Sequence, residues 1–135
     1  WRITKSDSMR ISAFHTSCLR KICKIFWPQK ISNTDLLALT HQKDITKVIT
    51  SRRWRWVGHT LRREGDHLAR VALRWTPEGK RKRGRPRTTW RRTLEGEAQS
   101  RGKSWKVLKK MAKNRKEWST FVSALCADDG REEER

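Results

Sequence analysis

Residues 79–92, GKRKRGRPRTTWRR, limit what this chain can fold into more than any other stretch. Eight of the fourteen residues are Lys or Arg. Pro86 has no amide hydrogen to give a helix and biases Arg85 away from the α region. Pro77, Gly79 and Gly84 add further breaks, and residues 76–88 show no apolar periodicity. The segment is therefore expected to be an extended basic linker. The chain is accordingly expected to form two helical groups, one on either side of it.

Both flanks have helical patterns. From Ser8 onward, Met9, Ile11, Phe14, Cys18, Leu19, Ile22 and Ile25 recur mostly at three- and four-residue intervals, which predicts one helix with a buried face. Ser6, Asp7 and Ser8 are its candidate caps and Pro28 its stop. Ser32 to Asp35, SNTD, resembles a capping box ahead of Leu36, Leu37 and Leu39. A third helix is expected from Asp44 to Arg63. Residues 67–75 give a short helical or extended piece with Leu68, Val71, Leu73 and Trp75.

Beyond the linker, Thr88 or Thr89 is expected to cap a helix with Trp90 and Leu94, and Ser104 one with Trp105, Leu108 and Met111. Trp118, Phe121, Val122 and Leu125 stand at i, i+3, i+4 and i+7, the clearest amphipathic stripe in the chain. The expected architecture is all-α. It comprises a helical group at 1–75, the linker at 76–88, a second helical group at 89–126 and a disordered, acid-rich tail at 127–135.

Thirty-four Lys and Arg against fourteen Asp and Glu give a formal charge of +20. A polyanion is the partner class that offsets such self-repulsion, so nucleic acid is expected and a membrane is not. There is no run of about 20 apolar residues and no apolar N-terminal core, so the expectation is an intracellular, nuclear protein. The chain opens on Trp1, with its first methionine at Met9, as a piece of a longer reading frame would. Hydrophobic residues are 34% of the total, but eight are tryptophan, enough for a modest core. Three cysteines, an odd number without a secretory signal, argue for reduced thiols.

The charge is concentrated. Residues 52–92 hold fifteen Lys and Arg against Glu64, Asp66 and Glu78. The candidate phosphate contacts are Arg52, Arg53, Arg55, Arg62, Arg63, Arg91 and Arg92, together with the linker residues Lys80, Arg81, Lys82, Arg83, Arg85 and Arg87. Within the linker, KRGRPR resembles the core of an AT-hook, a motif in which two arginines, here Arg83 and Arg85, can lie along a narrow minor groove. Gly84 permits close approach there and Pro86 keeps the chain extended. SRRWRWVGHTLRR, residues 51–63, interleaves arginine with tryptophan and allows base stacking beside phosphate contact. On a helix, however, Trp54, Val57 and Leu61 share a side as core residues do, which leaves Arg52, Arg55 and Arg62 nearer solvent.

Catalytic and metal constellations are poor. A helix turns Cys23 away from His15 and Cys18, which speaks against a zinc site. No acidic pair suits two-metal phosphoryl transfer, and no phosphate-cradling glycine loop occurs. Neither cofactor nor metal is expected.

Four segments, taken in order, carry a resemblance: AFHTSCLRKICKIFWPQKISNTDLL, RRWRWVGHTLRR, ALRWTPEGKRKRGRPRTTWRRTLE and GKSWKVLKKMAKNRKEWSTFVSALC. Together they resemble the C-terminal region of LINE-type (non-LTR) retrotransposon endonuclease–reverse transcriptases, over about residues 12–126. The match reaches Arg53, Trp56, Gly58, His59 and residues 79–90. The resemblance implies a non-catalytic part that follows the polymerase core and contacts template RNA or target DNA. In such a protein the chemistry belongs to upstream endonuclease and palm domains. Two alternatives stay open: part of an active RNA-directed DNA polymerase once joined to its palm, and an AT-hook minor-groove binder.

Overall fold

The computed structural model describes residues 3–75, 84 and 90–127. It is all-α: α1 (Lys5–Ile22), α2 (Asn33–Leu39), α3 (Ile45–Arg62), α4 (Leu68–Arg74), α5 (Trp90–Gln99), α6 (Trp105–Met111) and α7 (Arg115–Ala127). No strand occurs among the described residues. None of these helices is long and apolar enough to cross a membrane.

Two compact units are present, and the division falls inside α3, after Arg52. The sequence places the division instead at residues 76–88. Trp54 and Val57 are the physical reason for the difference: they belong to the same apolar cluster as α5, α6 and α7, so the second half of α3 goes with the C-terminal helices. Apart from Gly84, the residues of the expected linker lie outside the described ones. So does the expected tail after Ala127, which itself still belongs to α7.

In the unit of residues 3–52, α1 starts earlier than expected. Its cap is Thr4, whose hydroxyl accepts from the Asp7 amide at 3.1 Å while the Asp7 carboxylate accepts from the Thr4 amide at 3.0 Å, a complete capping box. Hydrogen bonds from the Thr4 hydroxyl and amide hold the Asp7 carboxyl below the usual aspartate range.

The stop also differs from the expected Pro28. Ile25 N–H donates to Arg20 O at 3.0 Å and Lys24 N–H to Lys21 O at 3.2 Å, with Lys24 at φ 55°. This is a Schellman turn with lysine in the left-handed position. α2 begins on Ser32 as expected and ends in the same motif, with His41 at φ 52°. Arg20 Nη2 donates to Ile31 O at 3.2 Å and to Asn33 Oδ1 at 2.6 Å, tying the end of α1 to the start of α2.

The predicted buried face is covered only in part: Ile25, just past α1, is buried, and Ile11, Cys18 and Leu19 are half-buried. Met9, Phe14 and Ile22 are exposed, and the described buried side chains of this unit are Thr16, Ile25 and Leu36. With only the seven-residue α2 and the head of α3 for company, an eighteen-residue helix has too little apolar surface to bury its stripe against.

The second unit has the main core. Trp54 and Val57 of α3, Leu94 and Ala98 of α5, Leu108 and Met111 of α6, and Trp118, Phe121, Val122 and Leu125 of α7 form one cluster, joined by Ala112. The Trp54 ring meets Phe121 edge-on at 5.4 Å and lies 6.0 Å from Trp118, the geometry aromatic quadrupoles favour. Trp118 Nε1–H donates to Trp54 O at 3.0 Å, so the buried indole has its partner. Ser104 caps α6, and Asn114 Oδ1 accepts from the Lys116 and Glu117 amides at the head of α7.

Candidate nucleic-acid interface

α3 sorts the predicted arginines by where its helical repeat places them. Arg55, His59 and Arg63 follow at i, i+4 and i+8, and all three are exposed. Arg63 reinforces the stripe through its Nε, which donates to His59 Nε2 at 3.2 Å. Arg52, one turn before Arg55, is exposed as well. Trp56 lies beside this stripe. It is 47% exposed and meets Trp90 edge-on at 5.5 Å between centroids, so part of an aromatic that already has a ring partner is open to solvent. Of the two α3 tryptophans, only Trp54 belongs to the core.

Arg53 has a different role from the one the sequence suggests. Its Nη2 donates to both Glu97 oxygens, at 2.5 and 2.6 Å, and its side chain is 18% exposed. Glu97 also accepts from Trp54 Nε1 at 2.8 Å. One carboxylate thus satisfies the charge of Arg53 and the buried indole together, and Arg53 is a structural residue that joins α3 to α5. Arg62 is half-committed: Nη1 donates to Ala112 O at 3.0 Å, leaving the rest of the guanidinium fork.

Arg91 pairs with Glu95 at 2.8 Å and lies 5.6 Å over the Trp105 ring. An exposed i,i+4 pair is worth only about 0.3–0.5 kcal/mol, so a phosphate can displace the carboxylate. Arg92 is exposed. Lys80, Arg81, Lys82, Arg83, Arg85, Pro86 and Arg87 lie outside the described residues. Gly84 is exposed with φ 149°, a backbone conformation that side-chain-bearing residues rarely adopt.

The structure adds a feature that charge density alone did not single out. A groove of about 400 Å³ is lined by Leu61, Arg62 and Arg70 on one side and by Lys106, Lys109, Lys110 and Lys113 on the other. Among the described residues, no carboxylate lines it. A signal for it is present in the sequence: the four lysines stand at i, i+3, i+4 and i+7, the spacing that puts residues on one helical face. They interleave with Leu108, Met111 and Ala112, which take the buried face.

A larger depression of about 700 Å³ at the turn between α3 and α4 shares Arg62, but Glu64 and Asp66 line it too, which opposes an anion there. Among the described residues no group of three or more His, Cys, Asp or Glu is placed to hold a metal ion. No protein-family model, curated protein or solved structure matches the chain.

Proposed function

We propose that this chain is a non-catalytic nucleic-acid-binding module of the kind that follows the polymerase core in LINE-type reverse transcriptases, contacting RNA or DNA through backbone phosphates. The observation that carries the reading is the exposed stripe of Arg55 and His59 on α3 and Arg63 just past its end, with the half-exposed Trp56 beside it. Guanidinium groups suit phosphate oxygens, and an exposed tryptophan ring suits an unstacked base. The net charge of +20 supplies the long-range attraction. The ordered segments that resemble the retrotransposon family favour the same partner.

The test is affinity for duplex DNA and for single-stranded RNA as a function of salt. Removing one cation from a phosphate should lower the log–log salt slope by about 0.9 on duplex and about 0.7 on single strands. Replacing Arg55 and Arg63 by Gln should therefore lower the slope by about 1.4–1.8. Trp56→Ala should weaken single-strand binding by about 1–3 kcal/mol and leave duplex binding nearly unchanged. A wild-type slope near zero would exclude the reading.

A further inference from the structure

We infer that the groove between the α3–α4 side and α6 is a phosphate-binding site, and that it holds the sugar–phosphate backbone of a nucleic acid strand. The inference rests on the nucleic-acid reading above and assigns it a site that the α3 stripe does not include.

Six cations, Arg62, Arg70, Lys106, Lys109, Lys110 and Lys113, surround one concavity that no carboxylate of the described residues lines. Like charges gathered this closely are costly unless an anion neutralises them. The two arginines are already oriented by backbone carbonyls. Arg62 Nη1 donates to Ala112 O at 3.0 Å, and Arg70 Nη1 to Arg63 O at 2.5 Å. Each is pinned at one corner of its fork, with further N–H groups left over.

One of those left over is Arg70 Nε, which is buried and has no hydrogen-bond partner among the described residues. A buried donor without an acceptor is uncommon and calls for a missing partner. An oxyanion supplies one once the Arg70 side chain turns its fork toward the groove. The lysines are of the opposite kind: all four are exposed, mobile point charges that follow a backbone without fixing its sequence. The pattern of two pinned guanidinium groups and a row of ammonium groups fits a run of phosphates better than one small anion. Leu61 gives the groove an apolar side against which a sugar can lie.

The experiment uses the whole chain and three probes: a short single-stranded oligonucleotide, its abasic counterpart, and vesicles containing an anionic phospholipid. Lysine acetylation is mapped with and without each probe. The groove lysines should be protected several-fold by both strands, base-bearing and abasic, and exposed Lys5, Lys21 and Lys30 much less. In parallel, Lys106→Gln/Lys109→Gln/Lys113→Gln should lower the single-strand salt slope by about 2, at about 0.7 for each phosphate left without its lysine. Lys5→Gln/Lys21→Gln/Lys30→Gln, with the same change in net charge, should leave the slope nearly as it was.

An equal fall in slope in the two triple variants, with equal protection of both lysine sets, would show attraction to charge without a site and overturn the inference. Protection by vesicles but not by strands would overturn it in favour of a lipid headgroup. If the wild-type chain binds strands with a steep salt slope while the groove variant keeps that slope, the groove fails and the nucleic-acid reading stands. If the wild-type chain binds neither strand, both fail together.

Discussion

Two backbone positions show how a single residue is used here. A Cβ on Gly58 would overlap the Trp118 indole, with Cε2 at 2.5 Å and Nε1 closer still. The indole lies directly on the α3 backbone and donates to the Trp54 carbonyl. An ordinary helical Gly→Ala change stabilises by about 0.5–1 kcal/mol. Here, overpacking costs about 1–3 kcal/mol and breaks the indole hydrogen bond as well. Gly58→Ala should therefore destabilise on balance, by about 1–3 kcal/mol, read as a lower denaturant midpoint; an unchanged or higher midpoint would refute the contact. Lys24 presents the converse. At φ 55° it holds the left-handed position of the Schellman turn, which costs a side-chain-bearing residue about 1–2 kcal/mol. Lys24→Gly relieves that cost against the greater freedom glycine has when unfolded, so it should stabilise residues 3–52 by a few tenths to about 1 kcal/mol. Slower amide exchange in α1 would register the gain.

At the level of elements, the junction of α3 with α5 depends on one carboxylate. Glu97 accepts from Arg53 and Trp54, so Glu97→Gln keeps an acceptor for the indole but leaves a guanidinium that is 18% exposed without its counter-charge. Breaking a partly buried pair from one side should cost about 1.5–3 kcal/mol. The second change, Arg53→Met, should restore part of the stability, because the stranded charge goes with it. If Arg53 were instead a phosphate contact, Arg53→Met alone would lower the salt slope of binding; no change is expected. How legible these elements were in sequence depends on what decides each one. The stripe of Trp118, Phe121, Val122 and Leu125 was plain because the helical repeat alone puts it on one face, and all four are buried. The caps Ser32 and Ser104 were plain for a similar local reason. The repeat put Trp54 on a core-like side with Val57 and Leu61, but how far Trp56 is covered depends on where the other helices pack. Nor could charge density separate Arg53 from Arg55; a carboxylate forty-four residues away does. The α6 lysine row was legible from its spacing but stood outside the densest run of charge.

For the whole molecule, charge acts in two opposed ways. At +20, with six cations around one groove, the folded chain repels itself, and the repulsion reaches further at low salt: the Debye length is about 30 Å at 0.01 M and about 3 Å at 1 M. The thermal midpoint of the free protein should accordingly rise with sodium chloride. A bound polyanion stabilises by RT ln(1 + [L]/Kd), about 2.7 kcal/mol at a hundredfold excess over Kd. Salt weakens that binding by about a thousandfold or more between 50 and 200 mM if six or more phosphates are contacted. Two melting series, with and without a short oligonucleotide, should thus begin well apart at low salt and converge as salt rises, the lower curve climbing to meet the upper. A gap that persisted at high salt would mean that the contacts are not ionic. The gap at low salt is the more searching measurement, because the unfolded chain carries the same charge and also attracts the strand. A polyanion that responded to the number of charges and not to their arrangement would bind the folded and unfolded chains alike and leave the midpoint unmoved; only cations fixed by the fold, as on α3 and around the groove, make the difference positive.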